Sequence, residues 1–162
     1  MTQSEILILF DQYHNMVYRI ALAILHSTHD AEDITQTVFL KLLNGCSAPQ
    51  KDKERAWLTK VTINACNDLM RSFWRRKIEP LDNSIAFSEP EEMLLFDAVM
   101  TLPAKYRIVI HLHYYEGYSG AEIAEMLQVK PSTISMRMHR ARNMLRNSLK
   151  EEYYEKLIST NV

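Results

Sequence analysis

Two stretches of this chain gather side chains able to hold phosphates and read base edges. Lys60, Asn64, Asn67, Arg71 and Arg75 recur at three- and four-residue steps, so a helix presents them on one face, with Arg76 and Lys77 extending its positive end. Lys and Arg neutralise phosphate, Asn offers a donor and an acceptor, and Trp57, Phe73 and Trp74 nearby supply aromatic surface. A merely solvated helix face is also polar; the Asn and Arg mixture beside aromatics is what points to nucleic acid. The second stretch is Ser132, Thr133, Ser135, Met136, Arg137, His139, Arg140 and Asn143, all left outside a stripe formed by Ile134, Met138, Ala141, Leu145 and Leu149. It puts phosphate donors and base readers in one place.

The elements needed to position these faces are helices. Among 162 residues there are only 3 Gly against 9 Met, with few β-branched runs, a composition whose side chains lose little freedom in a helix. Ile6, Leu9, Phe10, Tyr13, Val17, Ile20, Ala21 and Ile24 mark one or two amphipathic helices over 4–25. Ser27, Thr28 and His29 interrupt the pattern. Asp30 then reads as an N-cap with Asp33 three residues on, and Ile34, Val38, Leu42 and Leu43 carry the helix to Asn44-Gly45. After a polar loop, Trp57, Leu58, Val61, Ala65 and Leu69 mark the buried stripe of a third helix.

Residues 78–90 have two prolines, several acids and no apolar period, and read as a linker. Ser88 with Glu91 makes a capping box for a helix to about Met100; Leu102-Pro103 starts another, which Gly117 ends. Ser119 with Glu122 caps the next, Gln128-Val129-Lys130 turns the chain, and Pro131 suits the first position of the last helix. This is the pattern of a helix-turn-helix over 119–149, whose second helix enters the DNA major groove. The expectation is an all-α protein of two small helical domains, 1–77 and 91–150, joined by a flexible linker and followed by a tail, 151–162.

A formal net charge of -1 argues against nucleic acid until it is divided along the chain. Residues 1–40 carry one Arg against five acids, and 41–77 carry nine bases against three acids. Residues 78–97 hold six acids and no base; 130–150 hold six bases and no acid. Basic blocks attract phosphate locally, while the near-neutral whole predicts weak DNA binding by the free protein. No apolar run approaches the ~20 residues needed to span a bilayer, and no signal segment opens the chain, which predicts a cytoplasmic protein with no direct membrane insertion. Cys46 and Cys66 are too few for a disulfide framework and read as reduced thiols.

Asp30-Ala31-Glu32-Asp33-Ile34-Thr35-Gln36-Thr37-Val38-Phe39-Leu40-Lys41-Leu42, then Arg55-Ala56-Trp57-Leu58, Asn64 and Leu102-Pro103 resemble extracytoplasmic-function sigma factors of the sigma-70 family. So do Tyr115-Glu116-Gly117-Tyr118-Ser119, Ala121-Glu122-Ile123-Ala124 and His139-Arg140-Ala141-Arg142, in the family's order over residues 5–150. The resemblance implies that the chain joins core RNA polymerase and directs it to promoter DNA. It assigns Asp30, Glu32, Asp33, Gln36 and Phe39 to the polymerase clamp, although Asp30 and Asp33 also serve as capping acids. It assigns Lys60, Asn64, Asn67, Asp68, Arg71 and Arg75 to the melted minus-ten element, and the 44–54 loop to holding an extruded base. It assigns Ser132, Thr133, Ser135, Met136, Arg137, His139 and Arg140 to the minus-thirty-five element. The family is often held inactive by membrane-bound anti-sigma factors, so such a partner is expected. Trp57 also matches a family position, but reads first as a buried core aromatic. Gln128 stands where Gly is usual, and Ser135 and Met136 replace the commoner basic residue and Ser.

Two rival readings follow from the same residues. A helix-turn-helix regulator whose first 76 residues sense a ligand or dimerise shares the C-terminal half, but leaves the acidic motif and the basic-amide helix unexplained. A metal sensor is suggested by His26, His29, Cys46 and Cys66, yet these lack paired ligand spacing. No Gly-rich phosphate loop or Ser/His/acid set marks an enzyme, and no cofactor is called for.

Overall fold

The computed structural model describes residues 1–45, 49–73, 90–149, 155 and 158–159, with side chains omitted at 73 and 90–94. Among these the regular structure is helical throughout, and the chain divides into two compact units at Asn83 and Ser84.

The first unit holds α1 (Gln3–Leu25), α2 (Thr28–Leu43) and α3 (Glu54–Phe73), each packed on the other two. Thr2 opens α1 with a capping box: its hydroxyl accepts from Glu5 N at 3.3 Å, and Glu5 Oε2 accepts from Thr2 N at 2.6 Å. The 4–25 pattern is therefore one continuous helix. Only His26 and Ser27 separate it from α2. His26 turns left-handed at φ 56°, and the Ser27 hydroxyl accepts from Asp30 N at 3.2 Å. Ser27, not Asp30, is thus the N-cap. Asp30 lies within the first turn, where the helix dipole still favours its charge.

The core joins Val17, Ile20 and Ala21 of α1 to Ala31, Ile34 and Val38 of α2 and to Leu58, Ile63 and Cys66 of α3. The buried stripe of α3 differs from the expected one, because Thr59 and Thr62 are fully buried while Trp57, Val61 and Leu69 are half-exposed. Each threonine donates back to its own helix, Thr59 to Arg55 O at 2.9 Å and Thr62 to Leu58 O at 2.7 Å. Their hydroxyls are thereby satisfied without leaving the core. Cys66 sits in the same layer, where burial pushes its thiol up to about 12 and keeps it protonated.

The second unit holds α4 (Pro90–Met100), α5 (Ala104–Ile110) running into a π-helical turn (His111–Tyr115), α6 (Gly120–Leu127) and α7 (Pro131–Ser148). The Ser88 cap lies outside the described residues. The guanidinium of the buried Arg107 donates to Met100 O at 3.2 Å and Leu102 O at 2.9 Å, closing the end of α4, and its desolvation holds its pKa below the usual value. In the π-helical turn, buried His111 and Glu116 meet at 3.1 Å between Nε2 and Oε1, and His113 Nδ1 lies 2.8 Å from Tyr118 O. Gly117 then takes φ 75°, a conformation that favours glycine.

Candidate nucleic-acid interface

Ser119 starts α6 with the expected capping box: its hydroxyl accepts from Glu122 N at 3.2 Å, and Glu122 Oε2 accepts from Ser119 N at 2.7 Å. Gln128 closes α6 in the left-handed region at φ 56°, ψ 45°. Val129 N donates to Ala124 O at 3.0 Å and Gln128 N to Glu125 O at 3.2 Å, the paired bonds of a Schellman cap. Pro131 begins α7, and Ile134, Met138, Ala141 and Leu145 are buried, as the periodicity requires. Opposite them Ser132, Ser135, Met136, His139, Arg140 and Asn143 are exposed, with Thr133 and Arg137 half-buried at the margins. This face therefore joins the exposed set read from the sequence, including Asn143, whose Nδ2 lies 3.3 Å from His139 Nε2. The nearby Arg140 guanidinium is the chief cause holding the Tyr106 phenol below its ordinary pKa, with Lys105 5.0 Å from that ring's centre. Arg142 is turned aside: its Nε donates to Tyr114 Oη at 2.7 Å.

The second face lies on α3. Lys60, Asn64, Asp68 and Arg71 are exposed and Asn67 is half-buried, while Arg75 and the loop residues 46–48 lie outside the described residues. Asp68 and Arg71 pair at 3.7 Å on the open surface, an ion pair that costs little to exchange for a phosphate.

The acidic set opens α2. Glu32, Asp33 and Gln36 are exposed, and His29 Nδ1 stands 3.4 Å from Asp33 Oδ2 and 3.8 Å from Asp30 Oδ1. His29, Asp30 and Asp33 bring ligand atoms within 4.8 Å of one another, whereas in the rival metal reading's set Cys66 is buried in the core and Cys46 lies outside the described residues. Phe39 is buried, its ring edge-on to Phe10 at 4.9 Å. It floors an apolar groove of about 360 Å³ walled by Ile6, Leu7, Phe10, Gln36, Leu40 and Leu43. Leu7, Leu40 and Leu43 are 62%, 53% and 49% exposed. Sequence reasoning did not single out Leu40 and counted Leu43 in the apolar line that carries the helix. The available signal was that both lie off the Ile34-Val38-Leu42 line.

The family model for Sigma-70 region 2 matches residues 9–76, and that for Sigma-70, region 4 matches 92–145. The ECF RNA polymerase sigma factor SigL of Mycobacterium tuberculosis is 31% identical over 159 residues, covering 88% of each chain. The chain belongs to the extracytoplasmic-function sigma factors. SigW of Bacillus subtilis is 29% identical over 87% of each chain. SigE of Mycolicibacterium smegmatis is 32% identical over 85% of this sigma factor, which spans 59% of SigE's length. In fold, this sigma factor is similar to RpoE of Bartonella quintana, solved with the anti-sigma factor NepR, at 22% identity and TM-score 0.70 over 88% of this chain and 94% of that one. It is also similar to CnrH, solved with the cytosolic domain of CnrY, at 21% identity and TM-score 0.63 over 99% and 92%. The region 4 match contains the α6–α7 face, and the region 2 match contains both the α2 acids and the α3 face. No helix among the described residues is long and apolar enough to cross a membrane.

Proposed function

We propose that this sigma factor binds core RNA polymerase through the start of α2 and the groove beside it, then engages promoter DNA through α3 and α7. The observation that carries the reading is the division of α7 into a buried Ile134-Met138-Ala141-Leu145 stripe and an exposed face of hydroxyl, thioether, imidazole and guanidinium groups. Such a face suits a major groove, where it reads the upstream element. The α3 face suits the opened minus-ten strand. Binding an unstacked base there stabilises melted DNA without nucleotide hydrolysis, so the protein acts in the cytoplasm as a non-enzymatic initiation factor. On α2, surface acids give orientation and speed of docking, whereas Leu40 and Leu43 add apolar area beside them. An anti-sigma factor belongs to the proposal, because RpoE was solved with the anti-sigma factor NepR and CnrH with the cytosolic domain of CnrY.

Asp33→Arg with Gln36→Ala is expected to weaken binding to core polymerase tenfold or more, at about 1.4 kcal/mol per factor of ten, with helical content unchanged. Leu40→Ser with Leu43→Ser, at exposed positions, should do the same. Competition for core measured by fluorescence anisotropy checks both. Unchanged affinity in both variants would return the acids to capping alone and leave the groove without this role.

A further inference from the structure

The imidazole of His139 is exposed on α7, and the side-chain amide of Asn143, one turn on, meets its Nε2 at 3.3 Å with Nδ2. With the amide turned this way its nitrogen donates and Nε2 accepts. Neutral imidazole carries one proton, and it is therefore left on Nδ1. Among the described residues Nδ1 of His139 has no hydrogen bond of its own. His14 and His113 carry the proton on the same nitrogen but spend it within the protein, with Nδ1 against the carbonyl oxygens of Phe10 and Tyr118, both at 2.8 Å.

We infer that Asn143 is a positioning residue for promoter recognition, fixing His139 as the Nδ1–H tautomer so that this side chain offers a donor to the DNA. The inference rests on the reading of α7 as the groove-facing helix. A donor is matched by guanine N7 and O6, thymine O4 or adenine N7, whereas cytosine presents only its amino donor in the major groove. His139 thus selects against cytosine at its base position, by about three- to tenfold for a single hydrogen bond. The work of Asn143 is to suppress the other tautomer, whose Nδ1 lone pair would favour cytosine or the adenine amino group. Arg140 reads independently, because its guanidinium is always a donor.

Two variants reverse or release the setting. Asn143→Asp replaces the amide donor with a carboxylate that only accepts, drawing the proton to Nε2 and leaving Nδ1 as an acceptor. Asn143→Ala removes the partner and leaves both tautomers populated. Both substitutions are at an exposed site, and the added charge of the Asp variant lowers DNA affinity for every sequence alike. The quantity that matters is the ratio between bases, which a uniform loss does not move.

Imidazole nitrogen NMR on the full-length protein at alkaline pH reads the tautomer directly. The expected result is the Nδ1–H form in the wild type, a mixture in Asn143→Ala and the Nε2–H form in Asn143→Asp. Reconstituted holoenzyme on a promoter library randomised at the upstream element then reads base preference. Cytosine should be disfavoured at one position by the wild type, tolerated by Asn143→Ala, and favoured with adenine by Asn143→Asp. A wild-type Nε2–H tautomer overturns the inference while leaving α7 as the reading helix. The expected tautomers without any change in base preference, with His139→Ala equally silent, overturn both the inference and the placement of His139 against bases. A tautomer switch with a silent Asn143 series but an active His139→Ala overturns the inference alone.

Discussion

Gln128 occupies a backbone position that a side chain makes expensive. At φ 56° its Cβ crowds the neighbouring carbonyl, while the two cap bonds to Ala124 O and Glu125 O require that conformation. Glycine there has no such crowding but adds freedom to the unfolded chain, which takes back part of the gain. Gln128→Gly is expected to stabilise the C-terminal unit by up to about 1 kcal/mol, about 4–8 °C in a domain of this size. Differential scanning calorimetry of the full chain checks this, with Gln128→Ala as the comparison because alanine keeps the Cβ. Equal midpoints for Gly and Ala would mean that the left-handed turn holds no strain. The Gln at this position also tells how residue types mislead: its departure from Gly was legible, but its backbone angle was not. The same holds for Asn143, visible as an exposed neighbour of the reading set yet significant only once its amide was seen against His139 Nε2.

At the scale of elements, apolar letters alone gave only part of the buried line on α3: Leu58 and Ala65 are buried, but Trp57, Val61 and Leu69 are half-exposed. Thr59 and Thr62 entered the core because a helix offers each hydroxyl a carbonyl one turn back, and a pattern that counts only hydrocarbon side chains passes over them. Such a hydroxyl contributes little net stability, since the Leu58 carbonyl already serves the helix. Thr62→Val, which keeps the shape, should lie within about 1 kcal/mol of the parent in urea unfolding. Thr62→Ala leaves a void and should cost roughly 1–2 kcal/mol. A Val variant as damaged as the Ala variant would show that the hydroxyl itself holds α3. Periodicity was sufficient on α7, where burial follows a simple stripe, and capping chemistry was sufficient at Ser119 and Glu122. It failed at α2 because Ser27-Thr28-His29 looked like a break, whereas Ser27 caps and Thr28 is already helical. The π-helical turn had no signature to read: its His111–Glu116 contact joins residues five apart, outside the three- and four-residue spacing of an α-helix.

At the scale of the whole molecule, charge is divided along the sequence so that basic blocks, which attract phosphate, alternate with acidic ones, which repel it. The six acids of residues 78–97 stand in sequence between the basic block of 41–77 and that of 130–150. In the free protein, acids within about a Debye length of a basic face, about 10 Å at 0.1 M salt, subtract from its pull on phosphate. Non-specific DNA affinity is almost entirely electrostatic, so it responds directly to that subtraction. Once polymerase supplies its own contacts and the two reading faces meet specific DNA, the same charges matter much less. Glu79→Gln, Asp82→Asn and Glu89→Gln together raise the formal net charge from -1 by three units while leaving both reading faces unchanged. The expected outcome is a several-fold rise in binding of the free protein to random duplex DNA at about 50 mM salt, fading by about 200 mM. Transcription by the holoenzyme from a cognate promoter should stay close to the parent, so the ratio of specific to non-specific binding falls. Filter binding across a salt series, beside run-off transcription with reconstituted holoenzyme, measures both sides of that ratio. An unchanged non-specific affinity at low salt would mean that these acids do not screen the basic faces.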